Sequence, residues 1–175
     1  MKIKIQIFLL LLYVVITANE CKKNKPPVTD KGLPPASQTG ANIFACRVNN
    51  KNWIAETSIF HIRGGVSVDT LAASADISEN GFELISLIIK GNAVQGGVYS
   101  FSDTTQALGE FRTNKLCGVQ TGSVYRYYSI GGEIRIAKLD IVNKIISGSF
   151  NFIAPRINCN DSLKITDGRF DIKYY

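Results

Sequence analysis

The chain holds one histidine, one methionine and one tryptophan in 175 residues. Its four cysteines, Cys21, Cys46, Cys117 and Cys159, contain no Cys-x-x-Cys pair. With His61 as the lone imidazole and no Cys-x-x-Cys spacing, the sequence is a poor match to zinc sites, and no metal site is expected. No Gly-x-Ser-x-Gly elbow accompanies His61, so a triad is formally open but unsupported. His61 lies between Phe60 and Ile62 and reads as a strand-face histidine. Asn158, Asn160 and Asp161 offer oxygen atoms near a turn, without the longer ligand series and closing glutamate of an EF-type calcium loop. Turn capping is their expected role. The Gly-Gly pairs precede strands rather than helices, which argues against a phosphate cradle. No catalytic residue and no cofactor is expected.

Clustered basic charge is also missing. The net charge is +6, but residues 1–20 carry +1 of it and residues 21–39 carry +3. The remainder holds only +2, scattered along the sequence, which excludes a nucleic-acid face of the usual kind. No apolar run reaches the roughly 20 residues of a membrane-spanning helix. The run from Ile5 to Ile16 is shorter, follows Lys2 and Lys4, and leads to Cys21. It therefore reads as a helical export signal over residues 1–20. Lipidation of Cys21 after removal of this leader is the preferred reading; cleavage after Ala18, leaving a free or paired thiol, is the alternative. Residues 21–41, with Lys22, Lys23, Lys25 and four prolines at 26, 27, 34 and 35, then form a tether too polar and proline-rich to bury itself.

From Asn42 onward the signal is two-residue periodicity broken by glycine, asparagine and aspartate, with no sustained helical stripe. Residues 42–175 are read as one all-β domain, an antiparallel β-sandwich or flattened barrel of about ten strands. Asn49-Asn50 suits a tight hairpin. Strands are expected over Ser58–Arg63, ended by Gly64-Gly65, and over Val66–Ile77. Phe82–Lys90 is apolar on both faces and reads as a covered central strand. Ala137 shifts the parity of its segment, as a bulge or strand end does. Asp167-Gly168 is either a hairpin turn or a glycine bulge within one long strand. The bulge is preferred, because Lys144–Ala154 needs a partner of similar length.

Cys46 shares a strand face with Phe44 and Val48 and reads as a small buried thiol. Cys117 and Cys159 lie in turn-rich sequence and are the candidate disulfide in an oxidising compartment. Tyr99, Tyr125 and Tyr127 are the candidate ligand-binding residues, as an aromatic platform that stacks on a sugar or a peptide.

Three segments resemble a known family: Leu33 to Gly40 with Asn42-Ile43-Phe44, Cys46 to Lys51 with Trp53, and Ile134 to Phe152 with Ile165 to Asp171. They are similar to uncharacterised small lipoproteins of Bacteroidetes-type Gram-negative bacteria, a domain-of-unknown-function family. The resemblance implies an all-β fold, lipid attachment to the outer membrane and no known catalytic residue. Surface-exported members often carry acidic residues after the cysteine. Lys22-Lys23 stand there instead, which implies the periplasmic side. The membrane, through the N-terminal lipid, and a protein or glycan are the expected partners.

Overall fold

The computed structural model describes residues 32–79, 81–91 and 96–175. Alternating apolar and polar residues build eleven strands among them: β1 (Ile43–Val48), β2 (Lys51–Ile54), β3 (Ile62–Val66), β4 (Thr70–Ile77), β5 (Glu83–Lys90), β6 (Gly97–Ser100), β7 (Ala107–Leu116), β8 (Val119–Tyr128), β9 (Gly131–Asp140), β10 (Ile145–Arg156) and β11 (Asp161–Lys173). Two antiparallel sheets form a sandwich, one ordered β2-β1-β11-β10-β9-β6 and the other β3-β4-β5-β7-β8.

Local chemistry explains the turns. Asn49 and Asn50 both take positive φ, at 49° and 66°, as a two-residue hairpin of matching twist requires. Cys117 and Gly118 repeat this between β7 and β8, at 49° and 90°. Asp167 (φ 53°) is an extra residue inside β11, which runs unbroken past it. Phe150 pairs with Gly168 and Phe152 with Ile165, so the preferred bulge is the observed one and β10 has its long partner. Ala137 is likewise a bulge, because Ser147 pairs with Lys138 and Gly148 with Ile136.

Three expectations are corrected. Gly64-Gly65 lies inside β3 rather than ending a strand. A side chain at Gly64 would stand 3.0 Å from Ile172, so the glycine lets this edge approach the opposite sheet. The strand expected over Val66–Ile77 starts later, at Thr70: Val66 closes β3, and the Ser67 hydroxyl bonds Asp69 in the turn between them. Within β5 only Ile85, Leu87 and Ile89 are fully buried. Leu84 and Ile88, on its other face, are half-buried, so this central strand packs a core on one side.

The inward faces meet around aromatic rings. Phe44 lies 6.0 Å from Trp53 and 5.2 Å from Phe150, and Phe152 lies 5.6 Å from Phe101. Cys46 is fully buried among these residues, as expected.

Residues 32–41 were assigned to the tether, yet they are fastened to the outer face of the six-stranded sheet. Leu33 is buried. Asp171 accepts hydrogen bonds from the Ser37 hydroxyl and from the amides of Thr39, Gly40 and Ala41. Arg169 donates to the Pro34 carbonyl and Lys138 to that of Gln38. This strap covers Asp171, whose carboxylate would otherwise be a costly buried charge. The described body thus includes the ten residues before Asn42.

Candidate functional site

The inward and outward faces of β8 define the first site. Tyr125 and Tyr127 point toward the core, whereas Val124, Arg126 and Tyr128 point away from it. Beside β8, where it passes the far end of β10, lies an open groove of about 380 Å³. Tyr125, Tyr127, Tyr128 and Ile130 line one side, and Pro155 and Ile157 the other. That is near the lower end of small-ligand sites, so it admits one ring or a few side chains.

Tyr127 is only 7% exposed, and its hydroxyl has no hydrogen-bond partner among the described residues. Burial pushes its phenol upward, opposed in part by the nearby Arg156 charge. Arg156 itself is held by Asp161. A buried hydroxyl without a partner costs roughly 1–3 kcal/mol unless a ligand or water completes it.

Two of the three tyrosines singled out in the sequence therefore share a groove. Tyr99 lies apart, half-buried on β6 in the opposite sheet. Tyr125 and Tyr99 pack against the core, so the exposed three-ring platform does not form. Ile130, Pro155 and Ile157 escaped the sequence reading. The only signal was their placement beside turns, where exposed aliphatics are unusual in clusters.

A disulfide borders this groove. Cys117 and Cys159 are bonded, with their Cα atoms 5.4 Å apart, within the ordinary range. The bond joins the β7–β8 turn to the Ile157–Cys159 turn of 3-10 helix, and so ties the two sheets together at one end. Asp161 is taken up by Arg156, and Asn160 turns the chain in the left-handed region at φ 52°. Their oxygens serve the turn.

A second cleft, of about 230 Å³, is lined by Trp53, Glu56, His61, Asp76, Glu83 and Lys115, among others. His61 is in the turn before β3 rather than on a strand face. Its Nδ1 lies 2.9 Å from Asp76 and its Nε2 3.9 Å from Glu56. The ring is braced between carboxylates rather than set against a hydroxyl. Glu83 accepts from Trp53 at 3.1 Å and from Lys115 at 2.8 Å. Among the described residues no group of three or more histidine, cysteine or acidic side chains is arranged to hold a metal.

Cys21 lies outside the described residues. No helix of the described residues is long and apolar enough to cross a membrane, which says nothing of strands. No curated protein and no solved structure is significantly similar to this chain. The family model described as Domain of unknown function (DUF6252) matches residues 41–171, from the end of the strap to Asp171, and the chain belongs to that family.

Proposed function

We propose that this protein is a lipid-anchored, non-catalytic binding domain of the bacterial envelope. Cys21 carries the anchor, and the tyrosine groove beside β8 is the contact surface for a partner. The strap carries this reading. Residues 34–41 are bonded across the outer face of the six-stranded sheet, so only the ten residues 22–31 separate Cys21 from the first described residue, a span of eleven residue steps. Eleven extended residues reach at most about 40 Å. In this reading the domain stays within that distance of a membrane. The leader before Cys21 supports export, and Lys22-Lys23 favours the periplasmic side of the outer membrane.

Labelled palmitate tests the anchor. The full chain made in a Gram-negative host should incorporate it and sediment with the outer membrane. A Cys21→Ala chain that still labels and sediments there would overturn the reading.

The second reading, a glycan- or small-ligand-binding module, is favoured by Tyr125 and Tyr127 lining one groove with an unpaired hydroxyl. Binding of a simple sugar that shifts tyrosine fluorescence, and is lost in Tyr127→Ala, would support it over a protein partner.

A further inference from the structure

Among the described residues the two sheets end in four edge strands. β2 and β6 have four residues each and β3 has five, whereas β8 has ten. Folded proteins usually shorten, charge or cover an edge, because its open amides and carbonyls pair with any extended chain. The first three edges follow that rule by being short. The β8 edge is ten residues long but interrupted: residues 121–124 bulge out of register with β7, and the regular part, Tyr125 to Tyr128, has no proline and a single charge, Arg126. Val119, Val124 and Tyr128 are exposed along it, with Ile130 and Ile157 exposed beside its end.

We propose that the β8 edge and the groove behind it are a docking strip for an extended, acidic segment of a partner protein, added as a strand to the five-stranded sheet. The inference rests on the groove being the contact surface and names the occupant. Strand addition satisfies the open backbone through main-chain hydrogen bonds, while side chains enter neighbouring pockets. A side chain entering here meets Tyr125, Pro155 and Ile157.

Charge decides between occupants. Glu110 receives Arg112 at 2.6 Å and lies 3.7 Å from Arg126, so two guanidinium groups share one carboxylate. Arg126 is half exposed and reaches Glu110 only at the longer distance, so its charge is open to a partner. The strip is short of one negative group, which an aspartate or glutamate opposite Arg126 supplies. A second copy of this chain would bring two more arginines and only the same shared acid. Like charges facing across a strand pair disfavour it.

The test uses the full chain in mild detergent and a fluorescent eight-residue peptide of alternating valine and threonine with one central aspartate. Anisotropy should show saturable binding. Arg126→Glu should weaken it at least tenfold, and exchanging the peptide aspartate for lysine should restore binding to that variant. Methylating alternate peptide amides should abolish it. Val124→Lys, an exposed change, should also weaken binding, and circular dichroism checks that both variants fold. No saturable binding, unchanged affinity after amide methylation or in Arg126→Glu, or a wild-type dimer that Val124→Lys dissolves would each overturn the proposal. Palmitate labelling at Cys21 is indifferent to these outcomes, so anchor and docking strip fail separately.

Discussion

The Ser37 hydroxyl donates to the Asp171 carboxylate at 2.6 Å across 134 residues of chain. Three amides, from Thr39, Gly40 and Ala41, converge on the same side chain. A buried carboxylate and a segment without regular structure therefore complete each other. In Asp171→Asn, an amide group must face some of these donors, leaving them unpaired. The loss should be about 3 kcal/mol, since buried donors that lose a charged acceptor are costly. Urea denaturation of wild type and variant measures it.

The same carboxylate sets a pH dependence. Burial pushes Asp171 upward, but the Ser37 hydroxyl and the amides of Ala41, Gly40 and Thr39 outweigh it and hold it below the usual carboxylate range. Its folded-state value is thus lower than in the unfolded chain. The stability it supplies is present above about pH 4 and is lost as pH falls through the depressed folded value. Denaturation midpoints measured from pH 6 to pH 2 should fall more steeply for wild type than for Asp171→Asn.

Reduction of the Cys117–Cys159 bond opens a loop of 42-residue separation. Chain entropy assigns such a closure about 4 kcal/mol. The double serine variant should unfold at correspondingly lower denaturant, and an equal midpoint for both proteins would contradict this.

Cys46 should resist alkylation in the native protein. It is fully buried, and burial, aided by the Glu83 charge, raises its thiol well above the ordinary value. The thiolate that reacts is thereby suppressed. Iodoacetamide labelling at Cys46 should appear only in denaturant, as mass spectrometry would detect.

Two glycines separate packing from conformation. A β-carbon at Gly168 would lie 2.4 Å from the Phe150 carbonyl and 2.7 Å from its ring. Overpacking of this kind costs about 2–3 kcal/mol in Gly168→Ala. Gly65 has nothing within 4 Å of that position, so Gly65→Ala should change stability by less than about 0.5 kcal/mol. Paired thermal melts check both.

Removing the unpaired phenol should act in the opposite direction. Tyr127→Phe should stabilise the ligand-free protein by about 1 kcal/mol, because a buried hydroxyl without a partner is lost. A destabilised variant would show that the hydroxyl is already satisfied.

Alternation and turn chemistry determined the all-β class, the Asn49-Asn50 hairpin and the burial of Cys46 beside Phe44, and marked parity breaks at Ala137 and Asp167 that the strand pairing resolves as bulges. Each depends on contacts within a strand or one turn, which residue order encodes directly. The pairing of Cys117 with Cys159 was legible from turn chemistry and compartment, because few thiols compete for it. Tyr125 and Tyr127 were legible as aromatics on one strand face, but not as a groove. That needed Pro155, from a strand of the other sheet, and Ile157, from the 3-10 turn that follows it. Tertiary structure alone decided that Leu33 to Ala41 folds as a strap, since the side chains that hold it, Lys138, Arg169 and Asp171, lie a hundred or more residues away. It also decided which strand ends a sheet. Nothing within β8 reports its open edge, because an edge is defined by the neighbour a strand lacks.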